Sequence, residues 1–140
     1  MPGYKHVTVR RIMKKINMIL EKTSTGFSAY AKSYPIFTTG ISMPDLINQA
    51  YEAAQLYFEE EKIIISLKQI VFEIDFAQFF QYYKVLNAKF LAEKIDMNPT
   101  LLSQYIQGHK KPGPNQTAKI LSGIQQIGQE LSELNLIYQR

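Results

Sequence analysis

From Gly26 to Lys32 apolar and polar side chains alternate. Phe27, Ala29 and Ala31 fall on one face of an extended segment, and Ser28, Tyr30 and Lys32 on the other. Residues 15–22, KINMILEK, read as its partner strand across the turn TSTG. Tyr34-Pro35 turns the chain again, and Ile36 to Ile41 supplies a third strand, giving three short antiparallel strands. The period then changes. Ser42 and Asp45 have capping-box spacing, and Pro44 sits in the first turn, where its missing N–H costs nothing. Leu46, Ile47, Ala50, Ala53, Ala54 and Tyr57 recur at threes and fours, a helical face broad enough to cover the sheet. Glu59 to Glu61 oppose the dipole at its C-terminal end, where the helix is expected to fray. Ile63 to Asp75 is strand-like again, with Ile70, Phe72 and Ile74 alternating against Val71 and Glu73.

At Asp75 the period returns to 3.6. Phe76, Phe79, Phe80, Tyr83 and Leu86 mark an aromatic-faced helix that Asp75 can cap. Ala88 to Ile95 forms a second helix packed through Leu91, Ala92 and Ile95, and Asp96-Met97 turns the chain. Asn98 caps a third helix, Pro99 is its first residue and Gly108 its stop. Two short helices joined this tightly predict a helix-turn-helix. Leu102, Tyr105 and Ile106 form the docking face of the third helix, and Thr100, Ser103, Gln104 and Gln107 the opposite one. A last helix, about 115–135, carries Ile120, Leu121, Ile124, Ile127, Leu131 and Leu134 on one stripe, with Gly128 able to permit close helix approach. One small helical domain cannot cover a stripe of this length, so intramolecular core and a dimer contact share it.

The 140 residues are 46% hydrophobic and 20% charged, as in folded soluble proteins. There is no cysteine, which excludes disulfides and thiolate chemistry. Without a long apolar run or an apolar signal core, the chain reads as cytoplasmic. The net charge of +4 is unevenly spread. Lys5, Arg10, Arg11, Lys14 and Lys15 stand in the first fifteen residues without an acid, whereas acids outnumber bases over residues 16–74. Much of the basicity is thus in a leader, residues 1–14, expected to lack structure; Met13 is an alternative start. The pI of about 9.2 is therefore weak evidence for DNA binding by itself.

The third helix is more informative. Its amides and hydroxyls both donate and accept, as base edges in the major groove require, and glutamine can hold adenine at two points. Lys110 and Lys111 follow the helix and Lys89 opens the preceding one, all placed to meet phosphates. A polar stripe is by default a solvated face. Beyond that default, LAEKIDMNPTLLSQYIQGHKKP resembles the helix-turn-helix of the Cro/repressor-like family: Leu91 to Ile95 match its second helix, Leu102 and Tyr105 its buried positions, Gly108 its stop and Pro112 the proline after its basic loop. The resemblance puts base-reading and phosphate-contacting roles on Asn98, Thr100, Ser103, Gln104, Lys110 and Lys111; Gln107 is added from the helix face. Asp96 stands where that family's turn carries glycine.

Met13 to about Glu61 is similar to the HicB antitoxin family, on the opening strand, the hairpin into GFSAY, the SYP turn, TTG and the helix start SMPDLINQAYEA. Pro35-Ile36-Phe37 replaces that family's proline-glycine-cysteine. The resemblance implies a partial RNase H-like sheet with one helix. The expected class is α+β, a small antiparallel sheet with one helix over residues 15–74 followed by an all-α helix-turn-helix domain over 75–140. The implied function is an antitoxin that neutralises a HicA-type ribonuclease toxin and represses its operator, double-stranded DNA, as a homodimer or higher oligomer.

The rivals are a stand-alone regulator whose sheet domain senses or dimerises, and an RNA-binding module or nuclease remnant. RNA binding calls for a basic, aromatic-studded sheet, which the acidic sheet segment does not offer. Nuclease chemistry needs clustered carboxylates to hold metal ions, and the first three strands offer only Glu21. His6 and His109 have no acidic neighbour in sequence, and His109 reads as a surface residue. No catalytic role and no cofactor or metal is expected.

Overall fold

The computed structural model describes residues 15–136 and the backbone of Arg10 and Arg11. The chain divides into two compact units, residues 1–79 and 80–140. In the first, β1 (Arg10–Arg11) precedes β2 (Ile16–Thr23), β3 (Gly26–Ala31) and β4 (Phe37–Gly40). Then come α1 (Met43–Glu59), β5 (Ile63–Ile64), a 3-10 turn (Leu67–Gln69) and β6 (Ile70–Ile74). The main sheet runs β4-β3-β2-β6. Thr23 pairs with Gly26, so the hairpin turns on Ser24-Thr25, and Ala29 faces Leu20. The Lys22 ammonium donates to the Thr23 and Gly26 carbonyls at 2.9 and 2.8 Å, tying off that turn.

An antiparallel sheet was the expectation, and the sheet is mixed: β6 lies parallel to β2, Ile16 opposite Ile70 and Leu20 opposite Ile74. The helix between them is the reason. A strand that returns after crossing over a helix enters from the same end of the sheet and must run parallel. The long strand expected over 63–75 is also interrupted. Ser66 N–H donates to Gln69 Oε1 at 2.9 Å, closing a local turn that competes with the ladder.

Ser42 caps α1, taking the Asp45 N–H at 3.2 Å, while the Asp45 carboxylate takes the N–H of Ile41 at 2.9 Å. The box therefore closes one residue outside the cap. Leu46, Ala50, Ala54 and Phe58 form the buried stripe, each fourth residue meeting the sheet through Ile16, Met18, Leu20, Ala29 and Ile70. Burying a Leu or Phe side chain contributes ~1.5–3 kcal/mol. Phe58, not Tyr57, is the fully buried aromatic; Tyr34 and Tyr57 each pack on its ring at 4.9 Å between centroids. The helix stops at Glu59, and Lys62, at φ 57°, reverses the chain into β5.

The leader was expected to lack structure. It lies outside the described residues except at Arg10–Arg11, whose backbone pairs parallel with Ile63–Ile64. The division between the units falls after Phe79, one helical turn beyond Asp75. Asp75 N–H still donates to Leu20 O, and the Gln78 amide closes on the Lys22 backbone, accepting its N–H at 2.8 Å and donating to its carbonyl at 2.7 Å. The first turn of α2 (Phe76–Tyr82), capped by Asp75 Oδ1 on Gln78 N–H, is thereby tied to the end of β2.

Candidate nucleic-acid interface

The second unit holds α3 (Ala88–Lys94), α4 (Pro99–Ile106) and α5 (Pro114–Ser132). Asn87 caps α3 by accepting the Phe90 N–H at 3.0 Å. Between α3 and α4 the Met97 N–H reaches back to Ala92 O at 2.9 Å, and its side chain is buried. Asp96 takes φ 54°, the left-handed region that favours glycine. Aspartate is among the few side chains that visit this region, at some cost. The turn is thus made where the resembling family has glycine. Lys119 of α5 holds it, donating to Asp96 O at 3.0 Å.

Asn98 Oδ1 accepts from the N–H of Thr100 at 2.8 Å and of Leu101 at 3.4 Å, starting α4. Gly108, at φ 78°, ends it. The N–H of Gly108 returns to Tyr105 O and that of His109 to Gln104 O, the paired bonds of a Schellman stop. Both ends of α4 are therefore fixed by local chemistry. Its inner face seats Leu102 and Tyr105, both buried, and α3 contributes Leu91 and Ala92, with Ile95 at its C-terminal cap, to the core. Gly123 lets α5 come close: a Cβ there would overlap Ile95 Cγ2. A Lys94–Glu130 ion pair at 2.9 Å spans the same two helices; such half-exposed pairs contribute ~0–1 kcal/mol.

Thr100, Ser103, Gln104 and Gln107 follow one another at i, i+3, i+4 and i+7, away from the buried pair. Thr100 and Gln107 are exposed, Ser103 and Gln104 half-buried. Among the described residues no hydrogen bond engages these four side chains. Asn98 is exposed, but its oxygen is spent on the cap, which leaves its amide N–H groups as donors. Lys89, Lys110 and Lys111 are exposed, as is His109. Lys110 and Lys111 follow the end of α4, whereas Lys89 sits on the first turn of α3.

Sequence reasoning missed Lys119 and Gly123. Both act on residues far away in the chain, Asp96 and Ile95, so no local pattern announces them. The close approach expected at Gly128 belongs to a dimer contact, which one chain does not test; within the chain a Cβ there would meet nothing within 4 Å among the described residues. The helical stripe of α5 also divides. Ile120 is fully buried, whereas Leu131 and Leu134 are 57% and 79% exposed. Among the described residues no three His, Asp or Glu side chains group to hold a metal ion, and no helix is long and apolar enough to cross a membrane.

No protein-family model, no curated protein and no solved structure matches this chain.

Proposed function

We propose that the second unit binds operator DNA and the first binds a toxin, so that the protein is an antitoxin of the HicA/HicB type that represses its own operon. One observation carries the DNA-binding half. The short helices α3 and α4 are each closed by their own caps, α4 carries the stripe Thr100, Ser103, Gln104 and Gln107 away from its buried pair, and exposed Lys110 and Lys111 follow its end. A recognition helix lies in the major groove with base-reading side chains on its outer face. In this reading Gln104 and Gln107, with Thr100 and Ser103, meet base edges. Asn98, Lys89, Lys110 and Lys111 meet phosphates and set the register.

The antitoxin half is supported by the resemblance of Met13 to Glu61 and by the observed sheet covered by a single helix. The toxin would be a small ribonuclease of the HicA type, masked by the first unit. Two copies of the chain would place two recognition helices on successive major-groove faces about one turn apart. The exposed Leu131 and Leu134 and the open surface at Gly128 support such pairing.

Two experiments test the two halves separately. Duplexes selected from a random library by the native chain should share a consensus and bind with a steep salt dependence; recovery of no consensus removes the repressor. Capture of the native protein from its source cells should bring a small ribonuclease with it, and co-expression should rescue growth against that ribonuclease. Capture without a ribonuclease leaves the stand-alone regulator.

A further inference from the structure

The main sheet has edges of different character. At one end β6 carries Glu73 and runs directly into Asp75. At the other end lies β4, and the whole stretch from Ser33 to Pro44 around it has no charged residue. Edge strands are commonly guarded by lysine or an inward-pointing charge, because their unpaired N–H and C=O groups recruit a further strand. β4 has neither, and among the described residues no strand pairs beyond it. Its apolar side chains are uncovered: Phe37 is 66% exposed, and Ile41 just past the strand end 81%.

The register shows which backbone groups are free. Ala31 N–H donates to Ile36 O at 2.9 Å, and Ala29 stands opposite Thr38. Backbone groups alternate in direction along an antiparallel strand, so Ile36, Thr38 and Gly40 turn theirs toward β3. Phe37 and Thr39 turn theirs outward, where no described residue bonds them. The outward row is closed at both ends. Pro35 has no N–H to offer, and the Ile41 N–H is taken by the Asp45 carboxylate. What remains free is the N–H and C=O of Phe37 and of Thr39, placed symmetrically about Thr38.

We infer that β4 pairs antiparallel with β4 of a second copy of this chain, about a two-fold axis at Thr38. A two-fold contact needs a surface complementary to itself, and this edge is one. With Thr38 opposite Thr38, Phe37 of each copy exchanges N–H and C=O bonds with Thr39 of the other, and every free group is used. A shift of register either way sets Phe37 or Thr39 against Ile41 or Pro35 and forfeits a donor. The side chains fit the same register. Phe37 stands beside Thr39 of the second copy and diagonal to its Phe37, within reach of an aromatic ring. The neutral edge also avoids the like-charge repulsion that pairing a strand with itself otherwise brings, and it offers a charged partner strand nothing to select it. The contact lies in the first unit, apart from the α5 pairing above, and needs neither the DNA-binding nor the antitoxin reading.

A mixed sample of isotope-labelled and unlabelled native chain tests this directly. Filtered NMR spectra should show a cross-peak between the Hα atoms of Thr38 in the two copies, since backbones come closest at a non-hydrogen-bonded pair. The Phe37 and Thr39 amides should exchange slowly, and more slowly as concentration rises. Phe37→Lys gives the edge a guarding charge, and the mass of the chain in solution should fall by about half. Phe37 is exposed within one chain, so the shifts of Ala29 and Leu46 should stay unchanged. Should that variant fail to fold, the Thr38 cross-peak of the native chain still decides. Fast exchange of both amides at millimolar concentration, without that cross-peak, overturns the inference. So does an unchanged mass for folded Phe37→Lys. Intermolecular contacts from Phe37 to a segment other than β4 overturn it as well, since the occupant is then a different strand.

Discussion

α1 and α5 are both long amphipathic helices, yet they use their apolar faces differently. In α1 every fourth residue from Leu46 to Phe58 is buried, and the stripe is consumed by the sheet. In α5 only Ile120 and Gly123 are buried, and Leu131, like Leu134 just past the helix end, is exposed. Both units bury an apolar core, the second around Leu91, Leu102 and Ile120. The second adds asparagine caps at Asn87 and Asn98, left-handed residues at Asp96 and Gly108, and one glycine at the helix crossing. A unit fixed in this way can leave both a polar stripe on α4 and the far end of α5 open to partners.

Substitutions in the two units should break this contrast if it is wrong. The largest effect is expected for Leu46→Ala, which removes a fully buried side chain from the sheet core. It should cost ~2–5 kcal/mol in denaturant unfolding of the first unit, with amide protection in α4 unchanged. Gly123→Val should come next. Its side chain overlaps Ile95 and Leu91, an overpacking worth ~1–3 kcal/mol, and exchange should rise in α3 to α5 while the β2–β3 hairpin keeps its protection. Asn98→Ala removes the acceptor for two N–H groups of α4 and should cost ~0.5–2 kcal/mol, read as a lower thermal midpoint of the second unit. The smallest effect has the opposite sign. Gly128→Ala adds a methyl group where nothing among the described residues lies within 4 Å, and helix propensity should stabilise the unit by ~0.5–1 kcal/mol. A loss there would show that the glycine serves an approach which one chain alone does not make.

Much of the fold was legible because its signals are local. The alternation over Phe27 to Ala31, the Ser42–Pro44–Asp45 start and the Asn98–Pro99 to Gly108 frame each declare an element within a few residues, and each was found where expected. What escaped depends on distant partners. The parallel placement of β6 against β2 follows from the path over α1, and periodicity carries no direction. The Gln78 clasp on Lys22, the Lys119 hold on Asp96 and the Gly123 crossing likewise join residues far apart in sequence. The polar stripe of α4 was readable because helix spacing alone puts Thr100, Ser103, Gln104 and Gln107 on one face. How far each is exposed was not, since that depends on how α3 and α5 pack around α4.

The most direct test of the account compares Gln104→Ala with Lys111→Ala on a duplex selected by the native chain and on random duplex. Gln104→Ala should weaken the selected duplex by ~1–3 kcal/mol, about 5- to 150-fold, and leave random binding nearly unchanged. Lys111→Ala should weaken both alike and flatten the salt dependence. Equal losses on the two duplexes for Gln104→Ala would contradict base reading by the outward face of α4.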